Sequence, residues 1–397
     1  MHRKYWRSII KYGTMSQIGK YLLLALLIAN LASQYIIFNP ISNIVFYGTL
    51  GVAVLYSIMY CHQFFHKDSL KATSFLWLFI LVHTVYQFTF GINYFGKESL
   101  SYLLAKNTVL VVIYWGIITN YEFYYRKIIP FFTGVIPILI IYGFLFHNEV
   151  FAGRSTCGFG NPNSTSAISS IGFAGFLLLE YKPKWLNLLG AIVCMFGVLA
   201  GGSRAATVVC IVAVFLKYEF SWKTILLSCT CLSVALFLFP YLGFKLNGID
   251  RVVDVFSNGN FVGSREQVRK ATMLMINENP ILGWGFKTGI QGSAAKISQM
   301  GSHNGYLDII KAIGYPYAIL LLGGVMTIFF RMKEVVKSKC PFVRFHLFVV
   351  ISILLAALYE SYIIGVNQIM TNLLFVSIAV LQYHSYYKIG DEREEAD

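Results

Sequence analysis

Long apolar segments separated by short polar ones recur along almost the whole chain. Crossing the hydrocarbon core of a bilayer takes about 20 mostly apolar residues per helix, and the sequence supplies such stretches repeatedly. The pattern predicts about twelve membrane spans. They are 20–38, 42–61, 73–91, 101–120, 128–147, 165–180, 185–200, 204–217, 223–240, 313–330, 343–361 and 364–383. The predicted fold is an all-α, polytopic membrane protein with a single transmembrane domain over residues 1–397.

One long segment, 241–312, interrupts this pattern and is predicted to be a loop with short amphipathic helices. Ser264 is followed three residues later by Gln267, a spacing typical of a capping box at a helix start. Asn279-Pro280 is expected to end that helix, because the residue before a proline is disfavoured in the helical conformation.

The positions of lysine and arginine predict the orientation. Segments on the side of the N-terminus hold 20 of the 32 lysines and arginines, whereas the short loops on the other side hold three. Cytoplasmic loops of membrane proteins carry such an excess of positive charge. Both termini are therefore predicted to be cytoplasmic, and the long loop is predicted to face outward.

Composition agrees with a membrane protein and excludes some other classes. Only 13% of the residues are charged, against roughly 25% in soluble domains. The net charge of +14 does not indicate nucleic-acid binding, because most basic residues flank helices next to the lipid. The seven cysteines show no pair in a metal-ligand context, so neither a zinc site nor a disulfide framework is predicted.

Two short outer segments carry candidate chemistry. Arg154 precedes Asn161-Pro162, where asparagine caps a helix and proline is tolerated in its first turn. Gly201-Gly202-Ser203 permits a tight turn and places Arg204 at the next helix start. Free backbone amides and a guanidinium together favour phosphate or diphosphate binding. An arginine that extends to the membrane interface, or a structural turn with a surface arginine, would have the same pattern.

The long loop concentrates further arginines. Arg265 and Arg269 are four residues apart and would share one helix face, and Arg251 is near them in sequence. Either these arginines bind an anionic substrate, or the helix is an ordinary solvated one.

His303 and Glu360 are candidates for proton transfer and charge pairing. His303-Asn304 precedes an apolar helix, and an imidazole there can accept a proton from a sugar hydroxyl. Glu360 is near the outer end of a span, where a carboxylate is costly unless it is paired or faces a cavity. Pairing with an outer arginine would serve either structure or function.

These elements, in this order, resemble the O-antigen polymerase and ligase superfamily of bacterial membranes. The resemblance rests on Gly202-Ser203-Arg204, on the helix that starts at Ser264-Arg265, on Gly283-Trp284-Gly285 and on His303-Asn304. It covers about 150–330 in motif and the whole chain in its layout of spans.

The resemblance implies a metal-independent glycosyltransferase without a cofactor, acting on the outer face of the cytoplasmic membrane. Its donor would be a glycan on undecaprenyl diphosphate. Arg204 and Arg265 would hold the diphosphate, and His303 would activate or orient the acceptor hydroxyl. Arg154, Arg251, Arg269 and Asn304 are expected to bind substrate, with Glu360 in the catalytic group.

Three functions stay open, and polymerisation of lipid-linked repeat units into capsule, exopolysaccharide or O-antigen is favoured. The short outer loop and the Tyr-, Phe- and Ile-rich spans are similar to capsule and exopolysaccharide polymerases. The first alternative is a ligase that passes finished glycan to another acceptor. The second is a flippase or other transporter, which would place its charges mid-bilayer. A flippase and a chain-length regulator are expected partners.

Overall fold

The computed structural model describes residues 16–146, 154–218, 266–290, 292–298, 302–332, 335 and 337–387. Within these ranges the chain is helical, and the only β-type pairing is the isolated bridge between Tyr35 and Phe159. The helices of ten or more residues are α1 (Ser16–Gln34), α2 (Asn39–Met59), α3 (Ser74–Tyr86), α4 (Ile92–Thr119), α5 (Ile129–Phe146), α6 (Pro162–Leu178), α7 (Lys184–Gly201), α8 (Arg204–Tyr218), α9 (Glu266–Glu278), α10 (Gly305–Arg331), α11 (Pro341–Ala356) and α12 (Ile369–Tyr387).

Five described helical segments are long and apolar enough to cross a membrane. They are Ile36–Met59, Glu98–Thr119, Tyr121–Phe146, Lys184–Gly201 and Gly305–Arg331. Shorter apolar helices cover Ile18–Gln34, Ser74–Phe90 and Pro341–Ala356. The prediction of an all-α membrane protein is confirmed. The number of spans stays a prediction, and the predicted span 223–240 is outside the described residues.

Helices α6 and α12 form the centre of the bundle, where almost every side chain is buried. Small residues on α6 allow close approach to its neighbours. A β-carbon added at Gly172 would be 2.7 Å from Cys194 Sγ, and one at Gly175 would be close to Thr133. The serines and glycines of α6 therefore set the distance at which α5 and α7 pack.

Segments predicted to share a membrane face do meet at the same end of the bundle. At one end, the amide of Gly160 donates to Gln34 O at 2.9 Å, and that of Gly305 donates to Ala357 O at 2.8 Å. At the opposite end, Tyr114 Oη donates to Phe64 O and Arg344 donates to Leu216 O. This grouping agrees with the predicted alternation of loops. Which end faces outward stays a prediction.

Part of the long loop packs on α10. The described part of α9 ends at Glu278, as Asn279-Pro280 predicts, whereas Ser264 is outside the described residues. Trp284 Nε1 donates to Met275 O at 2.7 Å and so joins the following turn to α9. Helix α10 begins at Gly305 with Asn304 as its cap, which agrees with the helix predicted after His303-Asn304, and it continues through a kink at Gly314 into the span predicted from 313.

A kink in α10 explains the glycine-rich turn at 283–285. Pro316 has no N–H to offer Ala312 O, four residues earlier, so that carbonyl is left for another donor. Gly314 has φ 75, a conformation that favours glycine. Trp284 N and Gly285 N then donate to Lys311 O and Ala312 O, both at 2.8 Å. The kink thus joins the long loop to the membrane helix.

Candidate functional site

Arg154 connects the loop before α6 with the end of α7. Its Nε donates to Gly201 O at 3.0 Å, and its Nη2 donates to Asn163 Oδ1. The amide of Ser155 donates to Ala200 O at 2.9 Å, so backbone pairing also fixes this loop. Gly202, with φ 65, ends α7 in the left-handed conformation that the predicted double-glycine turn requires.

Asn163 is the residue that bridges the two charged candidates. Asn161 caps α6 by accepting from Asn163 N at 2.8 Å, and Pro162 occupies the first turn, as predicted. The side chain of Asn163 accepts from Arg154 and donates from Nδ2 to Glu360 Oε1 at 2.8 Å. A carboxylate and a guanidinium from distant parts of the chain are therefore connected through one amide.

His303 is next to the same carboxylate. Its Nδ1 is 3.7 Å from Glu360 Oε2, close enough for an ion pair when the imidazole is protonated. The side chains of His303 and Glu360 keep 35% and 17% of their surface exposed, so a ligand can reach both. His303 has φ 48, an uncommon conformation for a residue with a side chain. Such strained positions are concentrated at functional sites.

Asn304 acts as a helix cap that anchors His303. Its Oδ1 accepts from the amides of Tyr306 and Leu307, both at 3.0 Å, and its Nδ2 donates to Leu358 O at 3.0 Å. The amide of Gly305 also donates to Glu360 O at 3.2 Å. Both polar groups of Asn304 are therefore used by the protein. Substrate binding by Asn304 stays a prediction, and its observed contacts indicate a structural role.

Arg204 begins α8 at this same end of the bundle. It follows Gly201, whose carbonyl accepts from Arg154, by three residues. The amide of Ser203 donates to Ser166 Oγ at 3.2 Å, and Ser203 O accepts from Thr207 N at 3.1 Å. Arg204 is half-buried. A helix N-terminus and a guanidinium thus occur together, as the sequence predicts.

Of the other three predicted arginines, the structure describes only Arg269. Arg251 and Arg265 are outside the described residues, and Arg269 is half-buried on α9. The described network therefore joins Arg154, Glu360 and His303. The sequence pattern did not indicate Asn163 as a site residue, although Asn163 directly follows the predicted helix start at Asn161-Pro162.

Cys157 is a buried thiol near the site. Burial raises the pKa of the Cys157 thiol, in the loop between Arg154 and α6, although a hydrogen bond with Ser155 lowers it. The thiol therefore stays protonated at neutral pH. In the part of the chain that the structure describes, no three His, Cys, Asp or Glu side chains are grouped to hold a metal ion.

Residues 189–322 match the family described as O-antigen ligase. This match confirms the resemblance to the O-antigen polymerase and ligase superfamily. Enzymes of this superfamily act on lipid-linked glycans. The match includes Arg204 and His303 but neither Arg154 nor Glu360, which the fold brings to the site. The chain matches none of the curated proteins.

Proposed function

We propose that this protein is a glycosyltransferase that polymerises undecaprenyl-diphosphate-linked repeat units on the outer face of the bacterial cytoplasmic membrane. The supporting observation is the connection of Arg154 through Asn163 to Glu360, beside His303, at the end of the bundle where Arg204 begins α8. These groups supply positive charge, a carboxylate and a proton acceptor within one region.

The reaction needs a positive region for its leaving group. The acceptor hydroxyl oxygen forms a bond to the anomeric carbon of the donor sugar, and the bond from that carbon to the diphosphate oxygen breaks. The electron pair leaves with the lipid diphosphate, on which negative charge develops. Arg204, the N-terminus of α8 and Arg154 would stabilise that charge in the transition state. Arg265 is proposed to assist them from the long loop.

His303 would accept the proton of the acceptor hydroxyl, and Glu360 would stabilise the resulting imidazolium. A carboxylate that faces Nδ1 leaves Nε2 to act as the base. Because Asn163 already donates to Glu360 Oε1, Oε2 is the oxygen nearest to His303. This arrangement supports a reaction without a metal, in which guanidinium groups balance the charge of the diphosphate.

The direct test is glycan synthesis from purified lipid-linked repeat units by the full chain in detergent. A polymerase produces a ladder of products that differ by one repeat, whereas a ligase needs a separate acceptor and adds a finished chain once. Glycan from cells that lack the protein tests the transporter alternative. Loss of a flippase leaves repeat units on the inner face, whereas loss of the polymerase leaves single repeats outside.

Arg204 is the most informative position for substitution. Arg204→Ala should abolish polymer while the protein still accumulates in the membrane. Arg204→Lys should recover little, because lysine keeps the charge but loses the two-pronged geometry. Arg344→Ala is the matched control, since Arg344 also lies at a helix start but at the opposite end of the bundle. Wild-type polymer from Arg204→Ala would remove this residue from the site.

The proposed function also implies an orientation and partners. The end of the bundle with the candidate site would face outward, with both termini in the cytoplasm. A flippase would deliver the lipid-linked repeat to that face, and a chain-length regulator would act on the growing polymer.

A further inference from the structure

A cavity opens beside the candidate site, among α2, α4, the first turns of α10 and the segment that joins α11 to α12. Its volume is about 480 Å³, within the roughly 300–1,000 Å³ typical of small-molecule sites. Most of its wall is apolar. The polar residues that line it include Tyr102, Lys287, Asp308, Lys311, Ser361 and Asn367.

The cavity is next to the proposed proton acceptor. Asp308 lines it and accepts from Ser302 Oγ at 2.6 Å, and Ser302 directly precedes His303. Ser361 also lines it and directly follows Glu360. His303 and Glu360 are not among the described lining residues, but Ser302 and Ser361 connect both of them to the wall of the cavity. The described lining residues also include neither Arg154 nor Arg204.

The charge of the cavity is positive. Among the described residues that line it, Lys287 and Lys311 are cationic and Asp308 is the single carboxylate. Lys311 is only 8% exposed, and its ammonium donates to Thr288 O at 2.9 Å. An ammonium has three N–H donors, so this bond does not use its full capacity.

A third lysine lies behind the wall of the cavity. Lys106 is fully buried on α4, donates to Gly365 O at 2.7 Å and has its ammonium 4.2 Å from the ring centre of Phe375. Gly365 itself lines the cavity. Cations at membrane depth are costly unless an anion pairs with them or they face an aqueous cavity. Asp308 alone does not balance the charges of Lys287 and Lys311 in the wall.

We propose that this cavity binds the acceptor sugar and that it selects an acceptor with an anionic group, a carboxylate or a phosphate ester. The inference rests on the proposed function, since the acceptor is the substrate whose hydroxyl must reach His303. Asn163 contacts Glu360 from the side of the site on which Arg154 lies. We assign the diphosphate to that side, which leaves the lysine-lined cavity for the second substrate. Lys311 and Lys287 would contact the anionic group.

Binding to the full chain in detergent tests this without any need for turnover. The probes are a uronic-acid disaccharide and its methyl ester, which differ only in charge, titrated by calorimetry. The acid should bind at least tenfold more tightly than the ester. A disaccharide with a phosphate ester should behave like the acid. Equal affinities for acid and ester would overturn the proposal.

Two variants and a control connect the preference to the lysines. Lys311→Met keeps the length of the side chain and removes its charge. Lys287→Asn removes a charge on the exposed turn, where asparagine tolerates the observed φ of 62. Each should lose most of the preference for the acid, whereas Lys296→Gln, an exposed lysine of the same loop, should keep it. Should Lys311→Met not fold, Lys287→Asn decides alone, and an unchanged preference in it overturns the proposal.

A final comparison separates the possible sources of the anion. A polyprenyl diphosphate without sugar should not compete with the uronic-acid disaccharide. Competition that disappears in the same lysine variants would assign the cavity to the lipid diphosphate and overturn the acceptor assignment. Transfer assays separate the two proposals. Equal transfer to charged and neutral acceptors would contradict the cavity proposal alone. Lysine-dependent binding of the acid by a chain that shows no transfer would contradict the proposed function alone.

Discussion

Replacing Asn163 by alanine should disconnect Arg154 from Glu360 without removing either charge. The variant loses the hydrogen bond from Arg154 and the 2.8 Å bond to Glu360. Hydrogen bonds to charged groups contribute about 1.5–3 kcal/mol each. Asn163 is half-buried, so water can replace part of both bonds. We therefore take each bond at the lower end of that range and expect the free energy of unfolding to fall by roughly 3 kcal/mol in total.

The expected effect on transfer is larger than the effect on folding. Without Asn163, Glu360 loses the contact that orients its second oxygen toward His303. A misplacement of about 1 Å can lower turnover by roughly 100-fold. We therefore expect about a 100-fold loss in polymer formation from purified lipid-linked repeat, together with a moderate decrease in the thermal unfolding temperature in detergent.

Asn187 provides a matched control at the opposite end of the bundle. Its side chain also makes two hydrogen bonds, accepting from Tyr181 N at 2.9 Å and donating to Tyr181 O at 2.8 Å. Asn187→Ala should therefore lower stability, by about 2 kcal/mol for two bonds between uncharged groups, yet keep transfer per folded molecule. Wild-type turnover in Asn163→Ala, or an equal loss in both variants, would refute the reasoning.

Three further predictions test other parts of the structure. Gly314→Ala should destabilise the protein by at least about 2 kcal/mol in thermal unfolding. Its φ of 75 with ψ of 169 lies in a region almost restricted to glycine, which costs other residues on the order of 1–3 kcal/mol, and the added carbon would overlap the carbonyl of Ile281. Gly323→Ala, on the same helix with nothing within 4 Å, should be tolerated, and equal effects would contradict the kink argument. His303→Ala should lower transfer by roughly 100-fold if the imidazole is the base, and near-wild-type activity would exclude it. An impermeant maleimide should label exposed Cys61 only after permeabilisation. Buried Cys157, whose raised pKa keeps it a thiol, should stay unlabelled, and Cys61 labelling in intact cells would reverse the proposed orientation.

Local sequence determined most of the helical elements of this protein. Apolar runs predict helices that the structure contains, since a chain in lipid must satisfy its backbone polar groups internally. Asn161-Pro162 and Gly201-Gly202 marked one helix start and one helix end correctly, because capping depends on residues a few positions apart. The helix predicted after His303-Asn304 and the span predicted from 313 form one kinked helix, α10, in which Asn304 is the cap and Gly314 lies at the kink.

The tertiary structure alone decided which side chains meet. Asn163 and Glu360 are 197 positions apart, and no local pattern indicates that an amide on α6 connects a carboxylate after α11 with Arg154. Likewise, Lys311 appears in the sequence as a charge beside a helix, and only the tertiary structure places it in a cavity that residues of α2 and α4 also line. Sequence patterns fix backbone conformation over a few turns, whereas a site depends on the packing of distant helices, which small residues and kinks set.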